Sequence, residues 1–239
     1  SGIYQMVIDS SLRKKHGQVY TLPPIAKFLI ERCLQYSSGD HVMDPACGTG
    51  TFLVEYFELK YGDSIRRNVM SYHSICQEIS KIKGNDLNPV AASLAQMQML
   101  WRLLSFSEEM KRIGLPEIVV TSNDALAVKN IFFYENEWDE LDNNTYDLII
   151  GNPPYVRSER QIRRYGQNEE IFYEAVSVRS NLYTLFVYKA LKNWLKENGI
   201  LGFVLPLSIL DSGDSANLRK LFTSEGIGTI LEIVDMEEI

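Results

Sequence analysis

An apolar run, YDLIIG, breaks at residues 152 to 155 into Asn-Pro-Pro-Tyr. The Asn152 side-chain oxygen and the Pro153 carbonyl can each accept one hydrogen of a planar exocyclic amine, whose lone pair is otherwise delocalised into its ring. Pro153 and Pro154 restrict the backbone at and before themselves, so the Pro153 carbonyl is held in place before a substrate arrives. Tyr155 offers a π face for a base turned out of its helix, a contact worth ~1 to 3 kcal/mol. The chemistry these groups suit is transfer of a methyl group to nitrogen. With a sulfonium as leaving group, neither a metal nor a strong base is needed. An isolated Asn-Pro-Pro is more often a plain strand-ending turn, so the residues upstream decide between the two readings.

Three carboxylates stand upstream, each at the carboxyl end of an expected strand. Asp44 opens DPACGTGTFL, where Pro45, Ala46, Cys47, Gly48 and Gly50 form a turn into a helix and glycine lets the backbone approach a ligand closely. Asp86, followed by Leu87 in GNDLNP, sits where a carboxylate can accept two hydrogen bonds from ribose hydroxyls. Asp124, followed by Ala125 in TSNDAL, is placed to accept from an exocyclic adenine amine. Any one of them could be a helix N-cap. Three at the ends of successive strands describe one nucleoside ligand. A Rossmann dinucleotide site, and with it a nicotinamide oxidoreductase, would put Gly or Ala at position 53, which is Leu53, and has no need of a carboxylate ahead of the turn. A cofactor carrying an amino acid and a sulfonium suits Asp44 better than a pyrophosphate.

The elements that must position these groups alternate between short apolar runs and longer helical patterns, which implies an α/β fold with a doubly wound, mostly parallel sheet. Six strands are expected, at 41–46, 81–87, 118–124, 146–152, 199–206 and 229–236. Helices are expected from Pro23, with Ile25, Phe28, Leu29 and Cys33 along one face, from Pro89, and from Ser180 to a stop at Gly199. The stripe Leu94, Met97, Leu100 and Leu104 reads as core packing. Asp86 lies 42 positions after Asp44, against about 20 in a minimal unit, so residues 58 to 80 must be an inserted helical excursion. Residues 126 to 145 read as an acidic surface connection with aromatic anchors. The polar stretch after Tyr155 is long enough to be a functional loop. It holds Arg157, Arg160, Arg163 and Arg164, better placed for phosphate contact than for a solvated face.

Composition narrows the partners. The 239 residues are 45% apolar with a formal charge of −7, so nucleic acid is not held by overall charge, and any such role needs a local basic patch or another domain. Three scattered cysteines and three histidines lack metal-ligand spacing, so no metal site is expected and a reduced, cytoplasmic setting fits. No apolar stretch approaches the ~20 residues of a membrane span, so no membrane partner is expected.

These motifs resemble those of the S-adenosylmethionine-dependent N6-adenine DNA methyltransferases of bacterial restriction-modification systems, over nearly the whole chain. GQVYTLPPIAKFL is similar to that family's N-terminal motif, DPACGTGTFL to its cofactor loop, GNDLNP and SNDAL to its ribose and adenine acids, and NPPYV to its catalytic motif. NLYTLFVYKAL and GILGFVLPLSIL look like its later motifs, and the order is the gamma type. The resemblance implies a class I, Rossmann-like methyltransferase fold with S-adenosyl-L-methionine as cofactor. It places Tyr20 and Thr21 in the methionine pocket, and Asp44, Pro45, Ala46, Cys47, Gly48 and Gly50 in the cofactor loop. Asp86 and Leu87 fall at the ribose, Asp124 and Ala125 at the adenine. Asn152, Pro153, Pro154 and Tyr155 would be catalytic, with Asn152 also reaching the cofactor. Residues 1–40 then form a helical part with a cofactor motif, 41–126 the cofactor half and 127–239 the catalytic half of one domain. The family's seventh strand and target-recognition domain would lie beyond Ile239, so the expected partners are DNA, a target-recognition domain or subunit, and a fused or associated nuclease. A protein glutamine N5-methyltransferase, with a similar Asn-Pro-Pro-Tyr pocket but without this motif order, and a non-catalytic cofactor-binding scaffold are the alternatives.

Overall fold

The computed structural model describes residues 20–126, 145–156, 181–223 and 228–234. Five strands form one parallel sheet in the order β3-β2-β1-β4-β5: β1 Val42–Asp44, β2 Ile82–Asn85, β3 Val119–Thr121, β4 Tyr146–Gly151 and β5 Leu195–Phe203. The helices that concern the site are α1 Pro23–Cys33, α2 Thr51–Phe57, α3 Tyr72–Ile79, α4 Pro89–Trp101, α5 Ser107–Ile113, α6 Leu182–Lys189 and α7 Ala216–Thr223.

Side-chain alternation along the central strands divides the core in two. Val42, Leu148 and Ile150 face α1, α2, α3 and α4, whereas Met43 and Ile149 face α6 and Trp194. Both faces of the sheet are covered, which is why β1 is apolar up to its terminal carboxylate. The excursion between Asp44 and Asp86 is helical. After α2 it passes through a π-helical turn, Glu58–Gly62, and its Tyr61, Tyr72, Ile75 and Ile79 are buried in the core.

Four local expectations need correction. In α1 the inward residues are Ala26, Ile30 and Cys33, with Ile25 and Phe28 only half-buried. The helix is rotated because Gly202 of β5 leaves room for the Cys33 sulfur against the strand backbone. In α4 the Met/Leu stripe is not the core face. Met97 is 61% exposed and Leu104 53%, while Ala91, Ala92, Ala95 and Met99 are buried. A Cβ on Gly50 would lie 2.9 Å from the Ala95 Cβ, so α4 seats its small-residue face against the turn before α2, and a larger side chain would hold the two apart.

The helix expected to stop at Gly199 ends at Trp194. After α6 a π-helical turn, Ala190–Trp194, buries the indole, and Leu195 then pairs with Tyr146. Residues 196–199 loop out with Asn198 at φ 63°, before Ile200 pairs with Leu148. Finally, residues 229–234 of the expected sixth strand have no strand pairing. Ile230, Leu231 and Ile233 are exposed, and the segment is tied to α1 by an ion pair between Glu232 and Arg32. β5 pairs on one side with β4 and with no described strand on the other, so the apolar alternation of TILEIVDM has no neighbouring strand among the described residues.

Candidate active site

The strand order reverses between β1 and β4, and the crevice at the carboxyl end of that pair is where an open α/β sheet accepts ligands. Asp44 ends β1 and Gly151 ends β4. Their approach is so close that a Cβ on Gly151 would lie 2.6 Å from Asp44 Oδ1. Asn152, the next residue, therefore leaves the sheet directly beside the Asp44 carboxyl.

Asp44 is 1% exposed. Its Oδ1 accepts the Ala46 N–H at 3.1 Å, and its Oδ2 is buried with no hydrogen-bond partner among the described residues. Burial pushes this carboxyl well above the usual carboxylate range; the Ala46 N–H opposes the rise and the negative charge of Asp86 adds to it. Gly48 and Gly50 carry the turn at φ 55° and 89°, where a side chain would be strained, and a Cβ on Gly48 would meet open space. Cys47 is buried between strand ends, with its thiol pushed up by burial and then by the two acids. That environment suits an inert packing group, not a nucleophile. Leu53, which takes the place of a dinucleotide motif's third glycine, is buried against β2, and the strand supplies Gly84 to admit it.

Asp86 follows β2 and grips both neighbouring turns. Its Oδ2 accepts the Gly48 N–H at 2.9 Å and its Oδ1 the Asn88 N–H at 2.8 Å. Leu87 beside it is exposed, while Ala125 is buried. The Asp124 Oδ1 accepts the Leu126 N–H at 3.1 Å, closing a tight turn after β3.

A residue that the motifs did not single out joins these loops. Asn85, 1% exposed, donates from Nδ2 to the Pro45 carbonyl at 3.2 Å and the Asn123 carbonyl at 3.1 Å. Its Oδ1 accepts the Asn123 N–H at 3.0 Å and the Thr121 hydroxyl at 3.1 Å. The glycine turn and the Asp124 turn are thus stitched through one amide. An Asn at the end of a strand, where that residue type is disfavoured, was the available signal.

On the β4 side, the Asn152 Nδ2 donates to the buried Thr21 Oγ1 at 2.9 Å, across 131 positions of sequence. Thr21, with Tyr20 before it, thereby meets the Asn-Pro-Pro-Tyr segment itself. The Tyr155 hydroxyl donates to the Val204 carbonyl at 2.8 Å, and its ring stands edge-on to Tyr183, centroids 6.1 Å apart. Burial raises the Tyr155 hydroxyl above its ordinary value, so it stays neutral and locks the ring. The structure brings together Thr21, Asp44 to Gly50, Asp86, the Asp124 turn and Asn152 to Tyr155. Arg157, Arg160, Arg163 and Arg164 lie outside the described residues. Among the described residues no cluster of His, Cys, Asp and Glu could hold a metal, and no helix is long and apolar enough to cross a membrane.

A parallel sheet in this order, with a carboxylate and glycine turn at the switch point, is the class I S-adenosylmethionine-dependent methyltransferase fold. A Listeria monocytogenes structure described in those terms superposes with a TM-score of 0.52 at 19% identity, covering 84% of this chain and 49% of that one. The ATP-dependent Type ISP restriction-modification enzyme LlaBIII, solved bound to DNA, gives 0.64 at 17% identity over 92% of this chain and 17% of that one.

The chain belongs to the Eco57I restriction-modification methylase family, whose profile matches residues 80–239. Modification methylase CviBIII of Paramecium bursaria Chlorella virus NC1A is 24% identical over 237 residues, 98% of this chain and 49% of that protein. The chain spans about half or less of the curated relatives it matches. Family and fold imply S-adenosyl-L-methionine as cofactor, and the crevice fits it. The Asp44 Oδ2, without a partner among the described residues, calls for a cationic or hydrogen-donating group, and the open space at Gly48 leaves room for one.

Proposed function

We propose that this chain is the catalytic domain of a DNA methyltransferase that modifies the exocyclic N6 of adenine as the modification part of a restriction-modification system. The observation that carries the reading is the close apposition of Asp44 and Gly151, which sets the glycine turn of one half against the Asn-Pro-Pro-Tyr segment of the other.

S-adenosyl-L-methionine supplies a methyl group activated on a sulfonium. In this reading Asp44 accepts its cationic end, Asp86 its ribose hydroxyls and Asp124 its adenine amine, with Tyr20 and Thr21 on the methionine side. Thr21 also holds the Asn152 amide by its nitrogen, which turns the amide oxygen to the role of acceptor. That oxygen and the Pro153 carbonyl each accept a hydrogen bond from one N–H of the substrate amine and aim its lone pair, and the methylated nitrogen then loses one proton to solvent. Pro153 and Pro154 keep the carbonyl from turning away. The face of Tyr155, fixed by its hydrogen bond to Val204 and its contact with Tyr183, receives the extruded base. Arg157, Arg160, Arg163 and Arg164 follow at once in sequence and are assigned to phosphate contact. Sequence recognition, by a further domain or subunit, and any associated nuclease belong to other parts of the system.

The test is incubation with S-adenosyl-L-methionine and unmethylated DNA, digestion to nucleosides and mass spectrometry. N6-methyldeoxyadenosine is the expected product. Methylation of cytosine alone, or of a protein glutamine with DNA untouched, would overturn the reading.

A further inference from the structure

Lys189 closes α6 and is 2% exposed. A buried ammonium is costly unless specific partners receive it. Its Nζ donates to the Ala125 carbonyl at 2.9 Å and lies 5.4 Å from the centroid of the buried Trp194 ring. The π-helical turn after α6 is what brings that ring back beneath the lysine, five positions on.

The other end of α6 touches the catalytic segment. The Leu182 N–H donates to the Val156 carbonyl at 3.1 Å, and Tyr183 supports the Tyr155 ring. The helix is about 10 Å long between these contacts. It is a rigid strut with the substrate-base platform at one end and the Asp124-Ala125 turn at the other.

We propose that Lys189 is a positioning residue for the adenine end of the cofactor. It pins the Ala125 carbonyl from one side while Asp124 Oδ1 pins the Leu126 N–H from within the turn, and together these leave Asp124 Oδ2 with one orientation. Through α6 the same contact sets the distance between the cofactor's adenine and the Tyr155 platform. The inference rests on the reading of Asp124 as acceptor of the adenine amine.

The test compares binding of S-adenosylhomocysteine with S-inosylhomocysteine, which carries a 6-oxo group in place of the 6-amino group. Asp124 can accept from the amine and repels the oxo group, so the full chain prefers the first ligand. Lys189→Met keeps the apolar stem and removes the donor, and it lowers this preference roughly tenfold, the factor for one charge-assisted hydrogen bond. Asp124→Ala lowers it similarly, and the double variant little further. Asp86→Ala, acting at the ribose, weakens both ligands equally. An unchanged preference in Lys189→Met, with Asp124→Ala abolishing it, overturns the role of Lys189 alone, even if overall affinity falls. A preference that survives Asp124→Ala overturns the reading of Asp124 on which it rests. Should Lys189→Met not fold, Lys189→Gln, too short to reach Ala125, is read by the same comparison.

Discussion

Replacing Gly151 by Ala adds one methyl group at the join of the two halves of the site. That Cβ would lie 2.6 Å from Asp44 Oδ1 and 3.1 Å from Asp44 Cγ, inside the 3.4 Å at which ordinary contact begins. Two responses are open. The carboxyl can turn away, giving up the Ala46 N–H at 3.1 Å and the start of the glycine turn, or β4 can shift from β1. The first removes a hydrogen bond to a carboxyl, about 1.5 to 3 kcal/mol when the group is ionised and less when it is protonated. The second is overpacking, typically about 1 to 3 kcal/mol. Either way the variant loses about 1 to 3 kcal/mol of stability, and the displaced acid weakens cofactor binding roughly tenfold or more. Urea unfolding reads the first quantity as a lower midpoint with unchanged slope. Calorimetry with S-adenosylhomocysteine reads the second. Gly202→Ala, at the β5–α1 contact away from the crevice, should reduce stability with affinity retained. A Gly151→Ala protein that binds as tightly as its parent would refute the idea that this apposition shapes the cofactor site.

Binding of the cationic cofactor should release a proton over a range above the ordinary carboxylate pKa, because Asp44 is raised by burial in the free protein and its charged form is favoured by the ligand. A raised folded-state value stabilises the free protein below the unfolded pKa, a contribution lost as pH rises through the folded pKa, so free-protein stability falls and affinity climbs across that range. Titrations in buffers of different ionisation enthalpy count the proton, and Asp44→Asn should abolish the release. Asn152→Ala should eliminate methyl transfer while S-adenosylhomocysteine binding is weakened far less, whereas Thr21→Val, which removes only the hydroxyl beneath the amide, should slow turnover roughly tenfold; retained transfer in the first would sink the acceptor role. Asn85→Ala deprives the Pro45 carbonyl and the Asn123 N–H of that buried partner and should cost about 2 to 4 kcal/mol, measured by chemical unfolding.

The segments of the candidate site were legible in the sequence because each is local. Strand-ending acids, a glycine turn and Asn-Pro-Pro-Tyr each occupy a few consecutive residues, and β1 to β4 fall where apolar runs and their breakers put them. The same locality misled where an element was apolar on more than one side. In α4 both the alanine face and the Met/Leu stripe satisfy a helical period, and nothing along the helix says which will meet Gly50. The expected sixth strand had the right alternation, yet a strand exists only when a neighbour takes its hydrogen bonds, and among the described residues none does so for residues 229–234.

Types and order of the candidate groups were thus set by the sequence alone. Their mutual arrangement was decided by the fold. Thr21 and Asn152 are 131 positions apart, and Asn85, Pro45 and Asn123 come from three different segments. Such contacts depend on the parallel order of the strands and on the depth to which small residues let the layers close. Buried polar groups such as Asn85 and Lys189 must find partners wherever packing leaves them. Which partners those are is a property of the packed sheet and helices and is absent from any short stretch of chain.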